Sequence, residues 1–382
     1  MNKPKGMIVA LALAGALQVS QAQEERPMPF DARWRLTGEL TRVEALDGRE
    51  ALRMRSGTAR LDGVRFRDGT IDLDVKLSPH RSFVYLLFRT GAPGFHEEIY
   101  LRPAKSELPD SLQYSPTWND ESNWQLYHGR GATAAATLAH EAWMHLRLVV
   151  EDRRAALFLG DDLARPAMVM ELAREPQEGG IGLQSFVPKG VLPADVPLTG
   201  FANVVVRPGF VPFDFSKETR NLPPRPPGLV TRWQLSAPFP TPMGELPALP
   251  ASTLDERRLW PSYEIEERGV LVVGRHLKRP APDSAVVARL VVRAERDGPV
   301  PLELGFSDFA TVFVTGRPIL RGNARYSYDE PRQEGVIGLH QLIVWLPLAK
   351  GENEVLILLS DDFGGWGLIG RLPPGHGASV VP

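Results

Sequence analysis

The segment TIDLDVKL, residues 70–77, decides the fold of the first half of the chain. Every second residue in it is apolar: Ile71, Leu73, Val75 and Leu77. Because successive side chains of a strand point to opposite sides of a sheet, this alternation predicts a strand with one buried face and one polar face. The apolar residues 83–88 follow without interruption, and such a run is typical of a central strand.

The alternation returns further along the first half. Residues 143–150 have four apolar residues at every second position: Met144, Leu146, Leu148 and Val150. A charged turn at residues 151–154 then leads into the apolar residues 155–159, which predicts a hairpin. Residues 132–142 are rich in alanine, and propensity alone favours a helix there. They have no amphipathic stripe and lie between strands, so we expect a strand and a loop.

The second half repeats the β pattern. Its strand candidates are residues 286–292, 301–306, 310–314, 341–346 and 354–359. Proline-rich stretches at residues 221–228 (NLPPRPPG) and 238–250 can form neither a helix nor a central strand. A strand about every 8–12 residues is typical of a sandwich. The sequence therefore predicts an all-β protein with two β-sandwich domains joined by a proline-rich linker.

The first residues predict export. Lys3 and Lys5 precede an apolar run at residues 7–17, and small residues around Ala22 suit a signal peptidase. We expect a signal peptide, residues 1–22, because the run is shorter than the roughly 20 residues that span a bilayer. The chain contains no cysteine, which fits a bacterial periplasmic or secreted protein and removes thiol nucleophiles and Cys-ligated zinc.

The charge of the chain limits its partners. The formal net charge is −2, with 44 basic and 46 acidic residues, and no basic cluster stands out. Nucleic acid is therefore not expected as a partner, and no membrane insertion is expected once the signal peptide is removed. A neutral ligand suits such a chain best.

Two runs of the first half resemble a known fold. DGTIDLDV, residues 68–75, and GIGLQ, residues 180–184, are similar to strands of the concanavalin A-like lectin/glucanase sandwich. The nearest subgroup is the LamG-like set that includes 3-keto-disaccharide hydrolase-type domains. The resemblance covers residues 28–210. It implies a sugar-related function without choosing a chemistry, because this fold hosts lectins, hydrolases, lyases and adhesion modules.

Three runs of the second half resemble a galactose-binding-like jelly roll. They are FATVFVTGRP at residues 309–318, LPLAKGENE at 346–354 and FGGWG at 363–367. This resemblance covers residues 229–373. The predicted division of the chain is therefore the signal peptide, a first sandwich at 28–210, a linker at 211–228, the jelly roll at 229–373 and a tail at 374–382.

Residues 95–128 predict the ligand site. They hold six aromatic and six acidic residues in 34 positions, whereas all 382 residues contain 16 Phe, 8 Trp and 7 Tyr. Aromatic faces beside hydrogen-bonding groups suit a sugar ring. Residues 97–102 predict a strand that points Glu98, Tyr100 and Arg102 to the side opposite the core. The resemblance makes this the concave ligand face, and a solvated strand face is the simpler alternative.

Other residues complete the predicted site. Five more ligand contacts are expected from this segment: Gln113, Trp118, Asn119, Gln125 and Tyr127. Strand parity puts Gln125 and Tyr127 on the open face and Trp124 in the core. The turn at residues 118–122 is expected to be exposed above the cleft. The candidates in the second half are Asn323, Arg325, Tyr326 and Trp366, although the resemblance implies a structural role for Trp366.

The case for catalysis depends on Glu98. Glucanases of this fold carry their acids in the pattern E-x-D-x-x-E, but residues 98–103 read EIYLRP. Tyr100 and Pro103 replace the second and third acids, so glucanase chemistry of that type is not expected. Asp110 and Asp120 stay open as second acids from elsewhere.

We therefore predict an exported carbohydrate-binding protein. The alternative is a glycoside hydrolase or lyase in which Glu98 is the acid or base and Tyr100 and Arg102 align the substrate. A third alternative is a subunit of an envelope or extracellular assembly, for which an exposed apolar patch would be the sign.

No cofactor is predicted. The chain lacks a G-x-S-x-G motif, a P-loop and a dinucleotide fingerprint. Asp161-Asp162 and Asp361-Asp362 leave structural calcium open, since carboxylate oxygens are its usual ligands. Acids in exposed turns are the simpler interpretation of both pairs.

Overall fold

A computed structural model describes residues 26–188, 198–241, 249–327 and 334–381, and for residues 252 and 253 it describes the backbone. The predicted signal peptide lies outside the described residues. No helix in the described ranges is long and apolar enough to cross a membrane.

The strands of residues 34–208 form two antiparallel sheets. In chain order they are β1 Trp34–Glu39, β2 Arg42–Leu46, β3 Arg49–Met54, β4 Ser56–Phe66, β5 Gly69–Lys76, β6 Phe83–Thr90, β7 His96–Leu101, β8 Leu112–Trp118, β9 Glu121–Ser122, β10 Thr133–Ala134, β11 Trp143–Glu151, β12 Arg154–Leu159, β13 Met168–Glu171, β14 Gly179–Phe186 and β15 Thr199–Pro208. One sheet has the order β1-β4-β14-β6-β7-β8-β10, with β9 on β8, and the other β13-β12-β11-β5-β15-β3-β2. We call these two sheets the first sandwich.

The alternating segments form the core of the first sandwich as the sequence predicts. Ile71, Leu73 and Val75 of β5 are buried, and they share one apolar cluster with Leu86 and Ile99 of the facing sheet. The run that begins at residue 83 is the central strand β6. β11 and β12 form the predicted hairpin, and residues 132–142 contain the short strand β10 followed by a loop.

The strands of residues 232–380 form a second pair of antiparallel sheets. They are β16 Arg232–Leu235, β17 Phe239–Pro240, β18 Ser262–Glu264, β19 Leu271–Val272, β20 Ser284–Ala294, β21 Gly298–Ser307, β22 Phe309–Val314, β23 Arg317–Asn323, β24 Leu342–Leu348, β25 Gly351–Asp361, β26 Gly367–Arg371 and β27 Ala378–Val380. The larger sheet has the order β18-β16-β20-β25-β22-β23, with β17 and β27 on β20, and the smaller has β19-β26-β21-β24. We call these two sheets the second sandwich, so the prediction of an all-β protein with two β-sandwiches is confirmed.

Helices are few and short in the described ranges. They are α1 Ala251–Asp255 and α2 Val273–His276, with single 3-10 turns at Pro103–Lys105, Phe215–Lys217 and Arg257–Leu259. The turn at Phe215–Lys217 belongs to the predicted linker. Phe215 is buried there against Val149 and Phe158 on the outer face of the first sandwich, so this part of the chain packs on a sheet.

The two sandwiches share a continuous apolar contact. Trp118 and Tyr127 of the first sandwich belong to the same buried cluster as Val270, Val272 and Ile369 of the second. Buried hydrogen bonds accompany it, because the guanidinium of Arg268 donates to the carbonyls of His128 (2.8 Å) and Arg130 (3.0 Å). The segment at residues 118–130 is therefore the part of the first sandwich on which the second one packs.

Candidate functional site

On β7, the side chains of Glu98 and Tyr100 point in the predicted direction, but they are not exposed as predicted. Glu98 and Tyr100 point away from the core that contains Ile99 and Leu101, as the alternation predicts. Both side chains are nevertheless buried, with relative exposures of 4% and 3%. Tyr100 packs against Tyr85, with ring centres 4.8 Å apart, and against Phe83 at 6.0 Å. The prediction of an open face at Glu98 and Tyr100 is therefore wrong.

Residues 119–128, which follow β8, fold back and contact the sheet at β8. Gln113 of β8 is fully buried, and its amide nitrogen donates to the carbonyls of Trp124 (2.9 Å) and Tyr127 (3.0 Å). Residues 124–126 form a turn and not a strand. Strand parity therefore does not apply to them, and Gln113 has a structural role where a ligand contact was predicted.

Gln125 and Tyr127 face the second sandwich and not solvent. Gln125 is fully buried, its amide bonded to Asp308 (3.2 Å) and Ser307 (2.9 Å). The phenol of Tyr127 donates to the carboxylate of Glu266. Trp124, predicted to be core, is instead partly exposed. The prediction of Gln125 and Tyr127 as open-face contacts is corrected because the second sandwich covers this surface.

The turn at residues 118–122 also belongs to the junction. Trp118 is 5% exposed and lies under the guanidinium of Arg275, 5.8 Å from the ring centre. Asn119 donates from its amide nitrogen to the carbonyl of Gly274, at 2.9 Å. The expectation of an exposed turn above a cleft is wrong for both residues, because α2 of the second sandwich packs on them.

The four candidates of the second half lie in three different environments. Trp366 is fully buried in the core of the second sandwich and donates to the carbonyl of Leu359, so it is not available to a ligand. Asn323 and Arg325 are exposed near each other, and Arg325 pairs with Asp362 at 3.3 Å. Tyr326 alone lies against the first sandwich, where its hydroxyl accepts a hydrogen bond from Arg81 at 2.9 Å.

The glycines around Trp366 explain its motif. A Cβ on Gly364 would lie 2.5 Å from the amide oxygen of Gln125, and one on Gly365 would lie 2.9 Å from Leu126. Both glycines also have φ in the left-handed region, at +95° and +132°. Residues 364–365 are therefore glycine because the turn of the first sandwich packs directly on their backbone.

The acids considered for catalysis lie apart. Glu98 is hydrogen-bonded to Ser122 and lies 3.2 Å from the ring nitrogen of His96. Asp120 is exposed in its turn. Asp110 lies at the other end of β7, paired with Arg102 and Lys105. None of these contacts joins a second carboxylate to Glu98.

A cleft of about 360 Å³ opens where loops of the two sandwiches meet. Its walls are formed by Arg81, Ser82, Phe83, Arg102, Ala104, Lys105, Asp110, Trp124 and His128 of the first sandwich and by Tyr326, Ser327, Glu334 and Val336 of the second. Small-molecule sites commonly have volumes of about 300–1,000 Å³ and lie at such domain junctions. Of the predicted site residues, the structure brings Arg102 and Tyr326 together here.

Charged groups line one part of the cleft. The carboxylate of Asp110 accepts from Arg102 and, at 2.6 Å, from the ammonium of Lys105. Burial raises the pKa of Asp110, but the hydrogen bond from Lys105 and the charge of Arg102 outweigh it and lower the pKa below its usual value. Burial lowers the pKa of His128, so its imidazole is neutral at pH 7.

Aromatic rings also line the cleft. Trp124 and Tyr326 meet edge to face with ring centres 5.6 Å apart, which joins one ring from each sandwich. Phe83 also lines the cleft, and the guanidinium of Arg102 lies 5.5 Å from its ring centre. All three rings are partly exposed. The cleft thus offers apolar ring faces beside cationic and hydrogen-bonding groups.

A second charged cluster lies on the outer face of the other sheet of the first sandwich. Asp72 accepts from Arg147 at 2.6 Å and from His145 at 3.1 Å, and Asp74 lies 3.0 Å from the second ring nitrogen of His145. The hydrogen bonds to Asp72 and Asp74 raise the pKa of His145 to about 9. These groups satisfy one another, so we assign the cluster no ligand.

The described residues contain no group of three or more His, Cys, Asp or Glu side chains placed to hold a metal ion. Asp161 and Asp162 are exposed, and Asp362 pairs with Arg325. Asp361 is fully buried and accepts from Arg279 at 2.9 Å. Structural calcium stays a prediction of the sequence.

Most cleft residues were not among the predicted site residues. Arg81 and Lys105 lie outside the predicted strands. Glu334 is distant in sequence from the segment at residues 95–128. The available signal is the aromatic and acidic segment itself, since six of the lining residues fall within residues 95–128: Arg102, Ala104, Lys105, Asp110, Trp124 and His128. The segment contributes much of the lining of this cleft, but its packing against the second sandwich cannot be predicted from the segment alone.

No family model matches the chain, and no curated protein matches it either. A carbohydrate-binding module from Bacillus subtilis is 16% identical over 46% of this chain and 96% of its own, with a TM-score of 0.34. A beta-glucanase of Bacillus licheniformis is 12% identical over 48% of this chain and 98% of its own, with a TM-score of 0.35. A beta-1,3-1,4-glucanase (lichenase) derived from a mouse hindgut metagenome is 15% identical over 46% and 94%, also with a TM-score of 0.35. Similarity at this level assigns neither a family nor a function.

Proposed function

We propose that the protein binds a saccharide in the cleft between its two sandwiches. The observation that carries this proposal is the pairing of ring faces with polar groups in one recess: Phe83, Trp124 and Tyr326 stand beside Arg81 and Arg102. A sugar ring has C–H patches that pack on aromatic faces and hydroxyls that need donors and acceptors at its edge. A cleft with both kinds of wall suits such a ligand better than a purely apolar one.

This proposal keeps the predicted ligand and moves the site. Arg102 and Tyr326 were both expected to contact the ligand, and both line the cleft. The buried Glu98 and Tyr100 are replaced as ligand contacts by Phe83 and Trp124. Because loops of both sandwiches contribute walls, the second sandwich is a part of the proposed binding site and not an accessory to it.

The hydrolase alternative gains no specific support. Glu98, its acid or base, does not line the cleft and is hydrogen-bonded to Ser122. The carboxylate of Asp110, which does line the cleft, is held by two cations and its pKa is lowered, which is unfavourable for a general acid at neutral pH. We therefore propose binding without turnover.

Two further proposals accompany this function. The resemblance of the sequence to a LamG-like sandwich and a galactose-binding-like jelly roll is our proposal for its family. Export through the predicted signal peptide to the periplasm or medium is our proposal for its location, where such a site would meet external glycans.

The test is calorimetric titration of the full-length chain with oligosaccharides that give a signal on a glycan array. Trp124→Leu and Phe83→Leu each remove one ring wall, and we expect each to weaken binding about tenfold. Trp345→Leu is the matched control, since Trp345 is 57% exposed on β24 and does not line the cleft.

Thermal unfolding of each variant separates loss of the site from loss of the fold. Equal affinity of both cleft variants and the control would contradict this site. Absence of binding to every saccharide by the folded wild-type chain would contradict the function itself.

A further inference from the structure

We propose that the saccharide of the cleft is a chain of two or more sugar units, and that the unit beyond the cleft lies on the ring of Phe363 with its hydroxyls at Arg325 and Asp362. This inference rests on the proposed function and names its ligand class, an oligosaccharide. We call Phe363, Arg325 and Asp362 the outer subsite. None of the three is among the described residues that line the cleft.

The aromatic wall of the cleft continues onto the outer subsite. The ring of Trp124 contacts two rings of the second sandwich: Tyr326, which lines the cleft, at 5.6 Å, and Phe363 at 5.9 Å between ring centres. Phe363 is 50% exposed, and Trp124 is partly exposed. Together they form one apolar surface beside the proposed ligand site, and contiguous surfaces of this kind mark binding sites more often than single exposed rings do.

The two rings suit two sugar units better than one. The ring planes of Trp124 and Phe363 are inclined to each other by 59°. A sugar packs its C–H patch flat on one aromatic face, so a single sugar ring cannot lie flat on both. The unit in the cleft therefore uses Trp124, and the next unit of the chain uses Phe363.

Polar groups lie beside Phe363 to meet the hydroxyls of that second unit. Arg325 and Asp362 pair at 3.3 Å, and their side chains are 50% and 36% exposed. Arg325 directly precedes Tyr326, and Asp362 directly precedes Phe363, so the pair joins the two segments that carry the rings. A guanidinium has five donor hydrogens and a carboxylate about four acceptor positions, and one contact occupies few of them. The others are available to sugar hydroxyls at the surface.

The backbone of the outer subsite is fixed before a ligand arrives. The carboxylate of Asp308 accepts from the backbone N–H groups of Asp362 and Phe363, each at 3.0 Å. The N–H of Arg325 donates to the side-chain oxygen of Asn323, also at 3.0 Å. A pre-formed site does not have to be ordered on binding, so more of the contact energy remains for affinity.

The experiment measures affinity against ligand length by calorimetry on the full-length chain. The probes are series of one to six units of glucose, galactose, mannose and xylose. In the series that binds, we expect the hexamer to bind at least tenfold more tightly than the shortest member that binds, because the first unit holds the next one close to Phe363.

Phe363→Leu removes the outer ring. It should weaken binding of the hexamer about tenfold and leave the affinity for the shortest member unchanged. Phe210→Leu is the matched control, since Phe210 is 43% exposed and belongs neither to the cleft lining nor to the outer subsite, and it should change neither affinity.

Arg325→Gln removes the polar side without touching a ring. It should weaken binding of the hexamer about threefold to tenfold, the effect of one or two hydrogen bonds, and leave the shortest member unchanged. Arg293→Gln breaks a comparable exposed ion pair with Glu352 on β20, where Arg293 is 62% exposed, and should change neither affinity.

The outcomes separate the two proposals. If short and long members bind equally, the outer subsite is overturned and saccharide binding in the cleft stands. If the folded chain binds no probe and no other glycan, both fail. If Phe363→Leu weakens short and long members equally, Phe363 acts through the position of Trp124 and the inference is overturned. If Phe363→Leu loses stability, Arg325→Gln decides: an unchanged affinity for the hexamer overturns the inference.

Discussion

Gln125 of the first sandwich uses all its polar groups on the second. Its side chain donates to Asp308 at 3.2 Å and accepts from Ser307 at 2.9 Å. Its backbone N–H donates to the carbonyl of Gly364 at 2.9 Å, and its carbonyl accepts from Ile337 at 3.1 Å. A residue that the sequence places on an open ligand face is thus a central polar contact between the two sandwiches.

Gln125→Ala should weaken this junction. The substitution removes both side-chain bonds and leaves the buried groups of Ser307 and Asp308 short of a partner, which costs about 1–3 kcal/mol of unfolding free energy. Urea unfolding followed by tryptophan fluorescence measures it. Gln177→Ala, at an exposed loop position, is the control and should change the unfolding free energy by less than about 0.5 kcal/mol. Equal effects of the two variants would contradict the role of Gln125.

Gly364→Ala tests the close approach of the sandwiches. A Cβ there would lie 2.5 Å from Gln125 and 2.6 Å from the indole nitrogen of Trp124. Gly351→Ala is the matched control, because Gly351 has a similar φ, +103° against +95°, and nothing within 4 Å of its Cβ position.

In both glycine variants the unfolding free energy should fall by about 1–2 kcal/mol, because alanine is strained in a left-handed backbone conformation. In Gly364→Ala the unfolding free energy should fall by about 1–3 kcal/mol more, because the added methyl group overlaps the neighbouring sandwich. Thermal unfolding measures the difference, and equal melting temperatures for the two variants would show that the junction yields to the added methyl group.

The stability of the junction should fall as pH rises. Burial raises the pKa of Asp361 well above its usual value, and the nearby carboxylate of Glu121, from the other sandwich, raises it further. Asp361 Oδ1 is buried without a hydrogen-bond partner, and a proton shared between this carboxyl group and that of Glu121 would satisfy it. Arg279 pairs with both carboxyl groups, at 2.9 and 3.3 Å, and leaves this cluster of three one negative charge in excess when both acids are ionised.

The direction of this pH dependence follows from the number of protons bound in the folded and unfolded states. Above the unfolded pKa of about 4, the folded state keeps a proton that the unfolded state has lost, so stability falls until the pH passes the folded pKa of Asp361. Asp361→Asn imitates the protonated acid and should remove this part of the decline in melting temperature between pH 4 and 9. Asp362→Asn, at the partly exposed neighbour, should keep it. A wild-type decline that persists in full in Asp361→Asn would contradict the shared proton.

The His145 cluster should lose its stabilising effect over a narrower range. The hydrogen bonds to Asp72 and Asp74 raise the pKa of His145 to about 9, so its contribution is complete below the unfolded pKa of about 6.5 and is lost as pH rises from there to about 9. NMR titration of the imidazole measures the pKa directly. Asp72→Asn removes the first of the two acceptors and should lower the pKa of His145. An unchanged titration in that variant would contradict the assigned cause.

The strands are the part of this protein that local sequence encodes most directly. Ile71, Leu73 and Val75 repeat every second residue because a pleated strand has that period, and the core they form needs no knowledge of distant residues. The direction of the β7 side chains follows from the same rule. The short strand and loop at residues 132–142 follow from the missing apolar stripe, despite a composition that favours a helix.

The exposure of the candidate residues was predicted less well, because exposure is not a local property. Parity correctly separates Tyr100 from Ile99, but it cannot say what covers Tyr100. Residues 124–126 have the composition of a strand and form a turn, since Gln113 and Gly364 bind their backbone from two sides. Each of these contacts joins residues that are distant in sequence.

The sequence by itself determined the strand pattern, the two sandwiches and the segment, residues 95–128, that carries the aromatic and acidic side chains. Only the tertiary structure decided which of these side chains are open. The second sandwich covers Gln125 and Tyr127, while Arg102 and Trp124 stay at the edge of the cleft. The physical reason is that side-chain direction is set by backbone geometry within a few residues, whereas burial is set by whichever surface packs against it.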